Sequence, residues 1–187
     1  MTNYLIAGLG NIGPEYELTR HNIGFLTLDW LADEYKTSFE SERYAERATV
    51  RYKGRTMHLI KPSTYMNLSG NAVHYWMTKL RIAKEQLLVV VDDVALPFGK
   101  LRMRARGSSA GHNGLNNIEE TLGDDAYPRL RIGIGSEFRR GAQIDYVLGR
   151  FSDEEFKELP DIFKKATDIV LSFCTQGIDR TMNQYND

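Results

Sequence analysis

The sequence predicts an α/β fold in one domain, and three observations carry that expectation. A short apolar strand, Tyr4-Leu5-Ile6-Ala7, runs into a glycine-rich turn that is followed by an amphipathic helical segment. Leu87-Leu88-Val89-Val90-Val91 is an uninterrupted apolar run, as a strand buried on both faces requires. Further strand-like and helix-like stretches alternate between and after these two. At 187 residues, with 42% hydrophobic and 26% charged side chains, the chain suits one compact domain (1–187) with a substantial core.

The composition also narrows function. The single Cys174 excludes an internal disulfide and suits a reducing compartment, and no apolar run reaches signal-peptide or membrane-spanning length. The expectation is a cytoplasmic protein without a membrane partner. A net charge of -1 gives no global sign of a polyanionic partner, so any nucleic-acid site must come from local segregation of charge.

Gly8 to Gly24 is the first informative stretch. A strand ending in glycines delivers groups to the carboxyl edge of a sheet, where open α/β sheets bind ligands, and His21 is the first candidate for chemistry. Gly8-Leu9-Gly10-Asn11-Ile12-Gly13 fits a dinucleotide-binding turn in spacing only. Pro14 and an irregular polar stretch replace the required helix, and Asp29 and Asp33 fall inside a helical pattern rather than at a strand end. That helix spans Asn22 to Lys36, with Asn22 as its cap and Ile23, Leu26, Trp30, Leu28, Leu31 and Tyr35 on its apolar side.

Residues 44–53 and 55–60 form a hairpin about Lys53-Gly54-Arg55, stopped by Pro62. A polar turn with Tyr65 inside it leads to a helix marked by Val73, Trp76, Met77 and Leu80, with Asn67 at or just before its start, where a cap commonly sits. The apolar strand then ends at Asp92-Asp93, on the same sheet edge as His21. Neighbouring strand residues point to opposite faces, so only one of the two acids looks into the site. No His or Cys set with metal spacing accompanies them, and a metal is not expected.

From Gly99 to Arg106, Lys100, Arg102, Arg104 and Arg106 alternate with Leu101, Met103 and Ala105, which puts four cations on one strand face. Such a stripe either protects a sheet edge or contacts phosphates. The loop 107–114 opens a helix over 115–122 whose backbone N–H groups can hold an anion or a developing oxyanion. Arg129 and Arg131 share one face of a strand over 128–135. In the tail, Ser152-x-x-Glu155 is a capping box, Pro160 is expected to break or restart the helix, and Phe163, Ala166, Val170 and Phe173 continue a core stripe towards Gly177.

Four blocks in order resemble the bacterial-type peptidyl-tRNA hydrolases. They are Gly8-Leu9-Gly10-Asn11-x-Gly13-x-x-Tyr16-x-x-Thr19-Arg20-His21-Asn22, Lys61-Pro62-x-Thr64-Tyr65-Met66-Asn67-Leu68-Ser69-Gly70, Gly111-His112-Asn113-Gly114-Leu115 and Pro128-Arg129-Leu130-Arg131-Ile132-Gly133-Ile134-Gly135. One block alone is weak, but four in family order across almost the whole chain are highly specific. The resemblance implies a monomeric, single-domain α/β fold with a twisted mixed sheet flanked by helices, and no metal or organic cofactor. It implies an enzyme that cleaves the ester between a nascent peptide and the 3′ ribose of tRNA, recognising the CCA end and acceptor stem of peptidyl-tRNA.

Residue roles carry over onto matching positions. His21 would activate water as general base and Asp92 would orient it, while Asn11 helps separate blocked from free aminoacyl ends. Asn67 and Asn113 would bind the peptide backbone and terminal nucleotide, Asn113 also steadying the oxyanion, and Tyr16 and Tyr65 would line the cleft against the tRNA end. Lys100, Arg102, Arg104 and Arg131 would grip acceptor-stem phosphates. Ile12, Ala95, Ala110 and Asn116 depart from the usual Pro, acid, Gly and Lys, which bears on rate and affinity rather than on the reaction. The alternatives are a non-catalytic RNA-binding protein and a nucleophilic esterase. The second lacks a Ser elbow, since Ser108 and Ser109 are not in G-x-S-x-G and Cys174 sits in a helical stripe.

Overall fold

A computed structural model describes residues 2–186. Its seven strands form one mixed sheet in the order β2-β3-β4-β1-β5-β7-β6. The strands are β1 (Thr2–Gly8), β2 (Glu40–Glu42), β3 (Ala45–Tyr52), β4 (Arg55–Pro62), β5 (Leu87–Asp93), β6 (Leu101–Arg104) and β7 (Arg129–Gly133). The four central strands β4, β1, β5 and β7 run parallel, and the outer strands are antiparallel.

Helices α1 (Ile23–Glu34) and α5 (Asp153–Gln176) cover one face, and α2 (Ser69–Leu80) and α3 (Asn113–Leu122) the other. Alternate residues of β5 divide between the two cores: Leu88 and Val90 pack under α1 and α5, and Leu87, Val89 and Val91 under α2 and α3. That division explains the continuous apolar run. Among the described residues no helix is long and apolar enough to cross a membrane.

The topology places the site. β1 feeds α1 on one face, whereas its parallel neighbour β4 feeds α2 on the other. Loops that leave adjacent strand ends for opposite faces open a crevice between them. The glycines of the first block make this junction tight. A Cβ on Gly8 would collide with the Gly24 carbonyl oxygen, and one on Gly24 with that of Val90. The start of α1 therefore presses directly on the ends of β1 and β5, which brings His21 beside Asp92.

Several local expectations need correction. β6 is shorter than the 99–106 segment: Arg102 and Arg104 alternate with buried Leu101 and Met103, but Lys100 lies in the preceding turn and Arg106 beyond the strand, 3.3 Å from Asp125. Pro160 neither breaks nor restarts α5, which continues through it. An interior proline costs about 3 kcal/mol, but here it is exposed, while Leu159, Ile162, Phe163, Ala166, Ile169, Val170 and Phe173 bury a stripe long enough to hold the helix together. Three elements are absent from the sequence-based expectations: the exposed β2, the five-residue α4 (Gln143–Val147), and α6 (Ile178–Tyr185), although Ile178, Met182 and Tyr185 at i, i+4 and i+7 mark the last and pack on the core. Beyond α6, Asn186 accepts from the Met103 N–H and donates to its carbonyl, both at 2.8 Å, covering the β6 edge. Cys174 is buried in α5 as a free thiol, and burial pushes its pKa up.

Candidate active site

His21 and Asp92 meet where α1 begins and β5 ends. His21 Nδ1–H donates to Asp92 Oδ2 at 2.8 Å, and both residues are more than nine-tenths buried. The bond to a carboxylate fixes the proton on Nδ1 and leaves Nε2 with its lone pair. Burial alone would depress the His21 imidazolium, but the Asp92 charge and hydrogen bond outweigh it, so the pKa is raised above its ordinary value. Burial alone would likewise raise the Asp92 carboxyl. The two facing imidazoles instead hold it well below the usual carboxylate range. Asp93 leaves the opposite face of β5 and lies 3.7 Å from Arg131, yet it lines the same cavity as Asp92, so the expectation that only one acid looks into the site is corrected: the cavity opens past the strand end, where both faces reach it.

The second imidazole belongs to His112, whose role the sequence reading missed. His112 Nε2–H donates to Asp92 Oδ1 at 2.8 Å. Its Nδ1 accepts from the N–H groups of Gly114 and Leu115 at 3.1 and 3.4 Å, capping α3. The first turn of α3 is therefore closed by its own cap, and the expectation that these N–H groups hold an anion is corrected. The pattern also sets the tautomer: an Nδ1 that accepts two backbone bonds carries no proton, so Nε2 carries it. With one N–H on each oxygen, Asp92 is held at both ends and cannot rotate away from His21. The available signal was the sequence Gly111-His112-Asn113-Gly114, a histidine at a helix start beside a glycine-flanked turn.

His21, Asp92 and His112 bring potential ligand atoms within 4.8 Å of one another, a juxtaposition the sequence did not reveal. The donor chemistry does not fit a metal ion. A metal would need the His112 Nε2 lone pair, but the cap at Nδ1 commits that nitrogen to its proton.

Asn11 is fixed from three directions. Its N–H donates to Asn22 Oδ1 at 2.8 Å, Asn22 Nδ2 donates back to the Asn11 carbonyl at 2.9 Å, and Asn11 Oδ1 accepts from the Met66 N–H at 2.7 Å. Asn22 is thus a brace for Asn11 rather than a side-chain cap of α1. Because Asn11 Oδ1 faces an N–H, its Nδ2 is the group left to donate to a ligand. The same contact ties the loop after β1 to the loop after β4. On the latter, Tyr65 is half exposed at φ 63°, and Asn67 is exposed in a 3₁₀ turn ahead of α2, not at its cap. Tyr16 ends a second 3₁₀ turn between Asn11 and His21, its carbonyl bound by the Thr19 side chain and N–H.

A cavity of about 530 Å³ opens from this pair, lined by His21, Asp92, Asn113, Arg131 and Arg140 among others. Arg131 Nη2 donates to the Ser108 carbonyl at 2.6 Å, while Arg140 forms no ion pair among the described residues. Arg102 lies opposite Arg131 and Arg104 opposite Arg129, so the cations continue outward from the cavity across β7 and β6. Arg129 itself is fully buried, bonded to the carbonyls of Gly107, Asp125 and Tyr127. The stripe lies two strand spacings from β5, or roughly 10 Å. The structure brings His21, Asp92, Asn11 and Asn113 to one crevice, and leaves Lys100, Arg102 and Arg104 at its flank.

Comparison with known proteins gives a consistent result. Residues 5–187 match the family model described as "Peptidyl-tRNA hydrolase". The chain is 59% identical over 183 residues to a peptidyl-tRNA hydrolase of Cytophaga hutchinsonii, covering 98% of this chain and 97% of that one. It is 42% identical to the protein of the same name from Caldanaerobacter subterraneus, covering 98% and 99%. Among solved structures, peptidyl-tRNA hydrolase from Acinetobacter baumannii superposes with a TM-score of 0.91 at 33% identity, covering 98% of this chain and 94% of that one.

Proposed function

The chain belongs to the peptidyl-tRNA hydrolase family, and from that premise we propose that it hydrolyses the ester joining peptide to tRNA, with His21 as the base. The observation that carries the reading is the His21–Asp92–His112 chain of hydrogen bonds at 2.8 Å each, which leaves one basic nitrogen, His21 Nε2, without a committed proton.

Nε2 takes a proton from water as the oxygen attacks the ester carbonyl carbon. Asp92 stabilises the imidazolium that forms. The tetrahedral intermediate collapses by breaking the bond to the ribose 3′ oxygen, which receives the proton from Nε2, giving free tRNA and a peptide carboxylic acid that releases its proton to solvent. Such proton transfer contributes about 10²–10⁴-fold. Asn11 Nδ2 and the Asn113 amide bind the peptide amide and the developing oxyanion, with Asn67, Tyr16 and Tyr65 against the peptide and CCA end. A free α-ammonium would be buried without a partner, which disfavours unblocked aminoacyl esters. Arg131, with Lys100, Arg102 and Arg104 outside it, binds acceptor-stem phosphates. The enzyme acts as a cytoplasmic monomer and recycles tRNA from aborted translation. A nucleophilic mechanism has no support, since Cys174 is buried and Ser109 Oγ is bonded to Asn116.

The test is hydrolysis of an N-acetyl-aminoacyl-tRNA beside its unblocked counterpart, in EDTA, by wild type and His21→Ala. Cleavage of the blocked ester alone, lost in the variant while tRNA binding persists, is expected. An active variant would overturn the assignment.

A further inference from the structure

We infer that Arg20 is a positioning residue for the reaction: bonded to Glu155 and to the Tyr146 carbonyl, it fixes His21 and the α4 wall of the cavity against each other. This rests on the proposed reaction and adds to it a residue outside the catalytic cavity. Arg20 faces a separate cavity of about 680 Å³, while His21, next to it in the chain, lines the catalytic one.

His21 stands in the middle of a three-residue 3₁₀ turn, Arg20–Asn22. So short a turn has few bonds of its own with which to hold a side chain in place. The two residues flanking His21 hold it instead, in different directions. Asn22 ties the turn to the loop after β1 through Asn11. Arg20 ties it to α4 and α5. Its Nη1 donates to the Tyr146 carbonyl at 3.1 Å and its Nη2 to Glu155 Oε1 at 2.9 Å, and the guanidinium lies 4.1 Å from the centre of the Tyr146 ring. Its backbone N–H donates to the Gly149 carbonyl at 3.0 Å, so main chain and side chain grip the same segment.

Both partners are themselves anchored. Glu155 Oε1 also accepts from the Ser152 N–H at 2.8 Å, inside the capping box that starts α5. Tyr146 donates its hydroxyl to the Ile134 carbonyl at 2.6 Å. The short α4 has no side-chain cap and buries none of its residues, yet its Ile144 and Val147 line the cavity with His21. Arg20 is therefore a rigid link between the base and that wall. The planar fork of a guanidinium can serve two acceptors at once, which an ammonium does not reproduce.

The experiment measures kcat, KM and the pH profile of kcat/KM on N-acetyl-phenylalanyl-tRNA for wild type, Arg20→Lys, Glu155→Ala and Glu155→Gln, with folding checked by circular dichroism. Lysine keeps the charge and loses the fork. Alanine at 155 opens the link from its other end, so the test survives if Arg20→Lys does not fold. Glutamine at 155 keeps an oxygen for both donors. Arg20→Lys and Glu155→Ala are expected to lower kcat about 10- to 10²-fold, the cost of a displacement of up to about 1 Å, with KM within about threefold of wild type. The midpoint of their pH profiles should also fall. Asp92 from β5 and His112 from the start of α3 face His21, with Asp93, Arg131 and Arg140 around the same cavity, and all five are untouched. A lower midpoint therefore reports a base moved from Asp92, whose charge raises it. Glu155→Gln should restore the wild-type midpoint and most of kcat. Folded variants with wild-type kcat and midpoint, whatever their Tm, would make Arg20 a stabilising residue only and overturn the inference. Failure of wild type to cleave the ester would overturn the proposed reaction instead.

Discussion

The cavity beside the His21–Asp92 pair and the one beside Asn11 are nearly equal in size, about 530 and 500 Å³, and both mix acidic with basic side chains. Counting charges does not separate them, since both contain charged side chains. Pairing does. On one side Lys61 is held between Asp29 and Glu46, and on the other Arg131 lies 3.7 Å from Asp93, but there Arg140 has no ion pair among the described residues. Recognition of a polyanion needs cations still available to it. A near-neutral protein can therefore still offer an unpaired cation on one side of a crevice.

In the proposed reaction Asp92 serves the substrate as a whole, so its replacement should act on every peptidyl ester at once. Asp92→Asn is expected to lower kcat at least about 10²-fold, a loss within the range of general-base assistance, on short and long peptidyl esters alike. A loss confined to KM would place Asp92 in a binding role on one side only. Asparagine also removes the charge that raises the His21 pKa, and burial, now unopposed, moves it below 6.5.

The pH profile sharpens the same point. Only neutral His21 accepts a proton, and its pKa is raised in the folded protein, so kcat/KM should rise with pH through a midpoint above 6.5. Activity below that midpoint falls about tenfold per unit. A midpoint at or below 6.5 in wild type would mean that Asp92 does not govern the base.

Smaller effects should be confined to the basic side. Arg102→Ala combined with Arg104→Ala is expected to raise KM several-fold and reduce the slope of log binding against log salt by about 2, near one unit for each phosphate no longer neutralised. The effect should be independent of peptide length; dependence on length would mean that the stripe also contacts the peptide. Smallest is Ala110→Gly in the loop beside His112. Ala110 holds φ 51°, a left-handed conformation that costs a non-glycine residue about 1–2 kcal/mol. Glycine relieves this but adds about 0.4–1 kcal/mol of unfolded-chain entropy. The net is a gain of between zero and about 1.6 kcal/mol, read as a small rise in Tm with turnover nearly unchanged.

What was legible in the sequence was whatever leaves a local pattern. The β5 apolar run, the Lys53-Gly54 hairpin and the Ser152–Glu155 capping box each announce their element, and all three are present in the structure. His21 and Asp92 were legible because each follows a strand that ends at the same edge. His112 was not, because its function comes from two bonds made in opposite directions, one of them to a residue twenty positions away. Asn22 misled for a related reason. Its position is that of a cap, but its side chain is used eleven residues back, on Asn11. Pro160 shows tertiary burial overriding a local rule, and β2 shows an edge strand with no apolar residue to mark it. The cavity walls were the least visible. Glu46 and Lys61 become neighbours only through strand register, and Asp29 joins them from a helix on the sheet face.

The buried Cys174 has a practical consequence for work on the two cavities. Its thiol is enclosed in the core and raised above the usual thiol range, so thiol-directed dyes will leave it untouched at neutral pH. A cysteine introduced at position 41, which lines the cavity beside Asn11, or at position 104, on β6, would then be the sole attachment point for a fluorophore. Emission from each would report when substrate reaches that side of the crevice, so the order in which the two sides are engaged can be timed in an otherwise native chain.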